Sequence, residues 1–316
     1  MFSPYDYHNT YSIVARDPNT GHMGVAVQTH QVGVGRIVAW MRPGLGAVAT
    51  QSLVNISYGP MALAMLAEGL SAPDVLTALL CSDSKAHRRQ VGIIDASGQV
   101  AAHTGEGCIA EAGHYVGDNF SVQANMMTRP TVIDAMRRAY ERTGGDLAVR
   151  MVAALEAAQA EDGDIRGMQS ASIKIVSGSR DDRDWETVFD LRVDESEQPV
   201  KELKRLVTIR RAQLLDAEGH RLLAAGETVT ALNRWREARE LAPDQEELAF
   251  WQGVTLTNTM PMPEAISIAG RIIAPVFKDD PRRDEWLDLI RRLGACGLIE
   301  EPGRADQLLA AISDES

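Results

Sequence analysis

The sequence predicts an α+β protein: a four-layer αββα sandwich over residues 10–194, followed by an all-α, helical-repeat-like domain over residues 200–316. Three observations carry this reading. The β-rich runs come in groups joined by connectors too short for parallel crossovers, which calls for antiparallel sheets. Two pairs of amphipathic helices interrupt those groups, as expected of helices laid over the outside of sheets. Past Pro199 strand-type alternation stops and only helical periodicity continues. A single α+β sheet is compatible with the same order, because one sequence does not reveal which strands pair.

Each element has its own signal. Residues 10–27, TYSIVARDPNTGHMGVAV, alternate on both sides of an Asn-Thr-Gly turn and make a first hairpin. Residues 36–41 and 45–53 flank Arg42, Pro43 and Gly44 and make a second. From Pro60 the apolar residues recur at helical spacing as far as Gly69, and Ser71 with Asp74 forms a capping box for the next helix. Strands return at residues 90–95 and 99–103, around Ala96, Ser97 and Gly98, and again at 119–124. Pro130 suits the first turn of a helix that carries Val132, Met136 and Tyr140 on one face and stops at Gly144 and Gly145; residues 147–160 form its partner. Residues 170–176 and 187–193 supply the last strands.

Beyond residue 199 helices are expected at 202–225, 227–241, 246–259 and 264–277, with one more around Trp286. Two segments share a loose apolar rhythm ending in Ala-Pro, with a period of roughly the mid-thirties that is tetratricopeptide-like. An irregular helical bundle has the same 3.6-residue period.

Composition narrows the function classes. A 316-residue chain with 45% hydrophobic residues fills real cores, and its formal charge of -12 opposes a nucleic-acid or anionic-membrane partner, either of which needs a basic face. Cys81, Cys108 and Cys296 are odd in number and far apart, so free thiols and a cytoplasmic location are expected. Neither a signal peptide nor a membrane span is expected.

The chemistry centres on Thr10. A strand-opening threonine near the start of a chain is where enzymes that use their own N-terminus as nucleophile place it, the hydroxyl attacking an amide while the free α-amine takes the proton. Residues 1–9, MFSPYDYHN, form a leader that must first be cut away. Gln51 and Asn55, between an apolar strand and a helix, and Asn125, just past the 119–124 strand, are candidates to stabilise an oxyanion; Gln169 and Ser170 open the strand after GDIRG. Arg166 is a candidate for a substrate carboxylate, and His103 for a general acid. Asn and Ser also cap helices and turns, and an arginine also makes surface ion pairs, so each has a plain structural alternative. His103, Cys108 and His114 fit no zinc spacing, so no metal is expected, and no phosphate-loop or dinucleotide signature implies a cofactor. There is no G-x-S-x-G elbow; an internal nucleophile among Ser12, Ser52 and Ser170 needs a base beside it.

Residues 10–27, GLGAVATQSLVNISYGP at 44–60, RQVGIID at 89–95, HTGEGC at 103–108, VQANMM at 122–127, GDIRGMQSAS at 163–172 and DLRV before Asp194 together resemble the family known as domain of unknown function 1028. The resemblance spans residues 10–194 and implies the fold of the N-terminal nucleophile hydrolases, hence a hydrolase of linear or cyclic amides with Thr10 at the nucleophile's place. It also implies, for residues 200–293, an extension described as peptidoglycan-binding. The resulting expectation is an amidohydrolase of a small amide, ureide or peptide-like substrate, forming a homodimer. The rival is a non-catalytic binding or scaffold protein that uses the helical module as its interaction surface.

Overall fold

The computed structural model describes residues 7–8, 10–261 and 264–314, the first pair by backbone alone. The rest of the 1–9 leader lies outside the described residues. The chain divides into two compact units, residues 1–207 and 208–316.

The first unit is mixed α/β with two antiparallel sheets. One has five strands: β1 (Tyr7–His8), β4 (Ala39–Arg42), β5 (Gly46–Leu53), β6 (Arg89–Asp95) and β7 (Val100–Thr104). β6 and β7 follow one side of β5, and β4 and β1 share the other, β4 along Gly46 to Ala49 and β1 along Ser52 and Leu53. The second has six strands in the order β11 (Thr187–Val193), β10 (Ser170–Val176), β3 (Met23–Thr29), β2 (Thr10–Arg16), β9 (Phe120–Ala124) and β8 (Gly113–Gly117). The expected 36–41 strand is only Ala39–Arg42, because Val34–Arg36 closes into a 3-10 turn. β8 has no counterpart among the expected strands. It is an edge strand whose three central residues are exposed, so it carries no alternation.

β2 and β3 of one sheet contact β5 of the other, and each sheet packs against its own pair of helices. α1 (Tyr58–Ala67) and α2 (Ala72–Cys81) cover the five-stranded sheet through Leu63, Leu66, Val75 and Leu79 against Val48, Val91 and Ile93. The expected N-cap of α2 is present: Ser71 Oγ accepts from Asp74 N at 3.3 Å. α3 (Val132–Arg142) and α4 (Leu147–Ala160) cover the six-stranded sheet, where Phe120 and Tyr140 lie ring to ring at 4.5 Å. Between the sheets, Val14, Val25, Val27, Ala47, Ala49 and Ile94 form an apolar core.

α5 (Pro199–Ala224) runs from the first unit into the second, which adds α6 (Thr228–Leu241), α7 (Glu246–Thr259), α8 (Glu264–Phe277), α9 (Arg283–Ala295) and α10 (Arg304–Asp314). α10 was not among the expected helices. Trp235, Phe250, Ile273, Phe277, Ile290 and Leu308 form the core of this unit. Trp235 packs where only a glycine leaves room: a Cβ on Gly219 would lie 2.3 Å from its ring. No described helix is long and apolar enough to cross a membrane.

Candidate active site: a polar layer between the sheets

Side chains alternate along a strand, so Thr10, Ser12 and Val14 share the inner face of β2 while Tyr11 and Ile13 face the helices. Along that inner face the character changes. Val14 belongs to the apolar core, but Ser12 and Thr10 meet polar partners from both sheets and are fully buried. Register extends the pattern sideways. Thr10, Thr29 and Ser170 are neighbours on β2, β3 and β10, and Ser12 pairs with Gln123 of β9. On the facing sheet Gln51, Gln90 and Thr104 are neighbours on β5, β6 and β7.

The two polar rows interlock. Ser12 Oγ donates to Gln51 Oε1 at 2.6 Å and accepts from Gln123 Nε2 at 2.7 Å, while Gln123 Oε1 accepts from Ser121 Oγ at 3.0 Å. Gln51 Nε2 donates to Gln90 Oε1 at 2.7 Å and to the Thr10 carbonyl at 3.1 Å. Asn125 donates to that carbonyl through its main-chain N at 3.1 Å and turns its Nδ2 to Gln90 Oε1 at 2.8 Å. Gln90 Nε2 lies 2.8 Å from Ala124 O, 2.9 Å from Thr104 Oγ1 and 3.1 Å from Gly113 O. Buried polar groups are tolerated when each is hydrogen-bonded. Exceptions on this layer are Asn125 Oδ1 and Ser172 Oγ, buried atoms with no hydrogen-bond partner among the described residues.

The structure thus brings Thr10, Gln51 and Asn125 together. The two amides hold the main-chain carbonyl of Thr10, whereas the Thr10 hydroxyl lies 3.4 Å from that of Thr29. Ser170 is in the same row, with Oγ donating to Gln31 O at 2.5 Å and accepting from Val34 N at 3.2 Å, so it ties down the loop after β3. Gln169 precedes it and bonds Thr29 O through its main-chain N at 3.1 Å.

Arg166 lies at the same end of β3, forked onto Asp164 with Nε–Oδ1 at 3.0 Å and Nη2–Oδ2 at 2.7 Å. The Asp164 carboxylate is buried and also accepts from Arg166 N and His30 N. Burial pushes the neighbouring Tyr11 hydroxyl well up from its ordinary value, and the Asp164 charge adds to it. Tyr11 stays protonated and donates to Gln159 Oε1 at 3.0 Å.

Two expected residues are elsewhere. Asn55 makes a turn: its Oδ1 accepts from Ser57 N at 3.2 Å and its carbonyl from Tyr58 N at 3.0 Å. His103 alternates with Thr104 on β7 and so faces outward, its Nε2 3.0 Å from Ala86 O. The histidine that does reach the layer is His114, whose Nδ1 is 2.9 Å from Thr104 Oγ1. Partial desolvation of its ring lowers its pKa, helped by the nearby His103. Cys108 is half-buried and its thiol is pushed up by burial, against hydrogen bonds from Ser52 and Gly105. The hydrogen-bond partners of Ser12 and Ser170 among the described residues are amides and main chain, none of them a base. No group of three or more His, Cys, Asp or Glu side chains suited to a metal occurs among the described residues.

The sequence model of the Family of unknown function (DUF1028) matches residues 10–203, more than half of the chain. The chain belongs to DUF1028. A crystal structure of a DUF1028 protein from Silicibacter pomeroyi is similar to it with 27% identity and a TM-score of 0.57, covering 63% of this chain and 88% of that one. Anbu, the ancestral beta-subunit from Yersinia bercovieri, is similar at 11% identity and a TM-score of 0.33, covering 62% of this chain and 92% of its own. No curated protein matches. The DUF1028 match includes every residue of the polar layer.

Proposed function

We propose that this DUF1028 protein is an amidohydrolase of the N-terminal nucleophile type, its first unit being a four-layer αββα sandwich and Thr10 its nucleophile. One observation carries the reading: the inner layer of a sandwich, ordinarily apolar, is here built of hydrogen-bonded amides and hydroxyls that converge on the residue opening β2. Such a layer holds a reacting residue in one geometry, which is a main source of catalytic rate.

The reaction has two parts. The Thr10 hydroxyl first attacks the carbonyl ahead of it, the C–N bond to Thr10 breaks and frees the α-amine, and water then hydrolyses the resulting ester to release the leader and the hydroxyl. That amine then accepts the hydroxyl proton as Oγ1 attacks a substrate amide, and passes it to the leaving nitrogen; water cleaves the acyl ester. Gln51 and Asn125 position Thr10 through its carbonyl.

Mass spectrometry of the purified protein, with a panel of small amides, tests this. The expected outcome is a new N-terminus at Thr10 and hydrolysis that Thr10→Ala abolishes. A stable intact N-terminus with hydrolysis indifferent to Thr10→Ala overturns it.

A further inference from the structure

Tyr7 and His8, ahead of Thr10, form a two-residue strand that belongs to the other sheet. Tyr7 and His8 pair antiparallel with Leu53 and Ser52 of β5, and two residues after His8 the chain opens β2 in the six-stranded sheet. His8 and Thr10 thus belong to different sheets. β4 covers this edge of β5 only from Gly46 to Ala49, so among the described residues β1 alone covers residues 52–53.

That edge is built rather than frayed. Ser52 has φ +67°, a conformation that non-glycine residues rarely adopt and that persists where surroundings enforce it. Behind it the buried Arg89, ion-paired to Asp83 at 2.7 Å, donates Nη1 to Leu53 O at 2.5 Å and to Val54 O at 3.3 Å. The turned end of β5 is thus pinned from inside while its outer edge receives an extended main chain.

We infer that the segment ahead of Thr10 occupies in advance the acyl side of the substrate site, so that the substrates are amides of extended peptides whose main chain pairs with residues 52–53 in place of β1. The inference rests on Thr10 being the nucleophile. In processing, Thr10 Oγ1 bonds to the carbonyl carbon of residue 9 as the C–N bond to Thr10 breaks. The hydroxyl proton goes to the departing nitrogen, and water then hydrolyses the ester to leave a carboxylate on residue 9. Turnover forms the same ester from an external amide, with the leaving amine taking the proton, so the incoming acyl group needs the place the leader held. A sheet edge reads a peptide through main-chain hydrogen bonds and offers nothing comparable to a small cyclic ureide.

The test uses the purified full-length chain with three probes: a fluorogenic amide of a peptide copying residues 5–9, the same peptide N-methylated at the positions copying Tyr7 and His8, and hydantoin. Hydrolysis of the first is expected, with kcat/KM lowered about tenfold or more by N-methylation. In the processed protein the unmethylated peptide is expected to restore slow hydrogen exchange at residues 52–53. Equal rates for the two peptides, no renewed protection, or turnover of hydantoin alone overturns the peptide class; Thr10→Ala abolishing the hydantoin reaction then leaves the nucleophile standing. Peptide hydrolysis indifferent to Thr10→Ala, or a chain that stays intact and inactive, overturns both.

Discussion

Gln90→Met tests whether the polar layer is a single hydrogen-bonded unit. Methionine nearly conserves the volume, so packing changes little and the effect isolates the amide. Gln90 is fully buried, and its Oε1 is the shortest acceptor of both Gln51 Nε2 and Asn125 Nδ2. After the change Gln51 keeps the Thr10 carbonyl at 3.1 Å, whereas Asn125 Nδ2 keeps only a 3.5 Å contact. Ala124 O loses its 2.8 Å donor. Two buried groups left without good partners, at ~1–3 kcal/mol each, predict a loss of about 4 kcal/mol. The two units need not unfold together, so the assay is urea-dependent hydrogen exchange of peptides from β2 and β9, which reports the first unit alone. Processing at Thr10 is expected to slow in parallel, as its carbonyl loses order. A stability loss below about 1 kcal/mol would refute the idea that these side chains act as one network.

Gly92→Ala is expected to destabilise the first unit by about 1–3 kcal/mol in the same assay, because the new Cβ would lie 2.6 Å from Gln123 Oε1 and 2.9 Å from Ser121 Oγ and break that pair. Asp83 predicts an acid-sensitive step. Burial raises its carboxyl, but hydrogen bonds from Arg89, Lys85 N and Tyr58 outweigh that and hold it at about 2. A depressed carboxylate stabilises the fold above its unfolded value and loses that contribution as pH falls through the folded one, so about 1–2 kcal/mol should disappear between roughly pH 4 and pH 2. Thermal melts across that range should show the step in the native chain and not in Asp83→Asn.

Much of the architecture was legible because it rests on local signals. Hairpin turns, the Ser71 cap and the apolar faces of α3 and α4 are written in short windows, and their positions agree with the observed elements to within a few residues. β8 was not, since an edge strand exposed on both faces has no period to read. The polar layer was harder still, for a physical reason. Thr10 and Ser12, Ser121 and Gln123, and Ser170 and Ser172 sit at alternate positions of their strands, and alternation of polar and apolar residues ordinarily marks the solvated face of a sheet. Here both faces are buried, and the polar phase turns toward the second sheet. Gln90 and Ser12 are therefore invisible as members of one network until Gln51 is seen between them. Thr10, Gln51 and Asn125 stood out because they sit at strand ends. Arg166 and His103 stood out by residue type alone, which says nothing of the partners that tertiary structure brings, Asp164 for one and the Ala86 carbonyl for the other.

The direction of the hydrogen bonds in this layer has a consequence for Thr10. Gln90 Nε2 faces the carbonyls of Ala124 and Gly113, which only accept, so Oε1 must face Gln51 and Asn125. Those two residues must then present their NH2 groups, and Gln51 Nε2 meets the Thr10 carbonyl. Its Oε1 accordingly takes the Ser12 hydroxyl hydrogen, which leaves Ser12 Oγ to accept from Gln123. Two main-chain carbonyls thus orient every amide as far as Thr10, and none of these bonds involves the Thr10 nitrogen. If the bond ahead of Thr10 is cut, the carbonyl anchor persists unchanged while the nitrogen acquires new hydrogens. A site whose ordering does not depend on its own leader can be processed without having to be rebuilt, which is what preorganisation requires of a residue that must react twice.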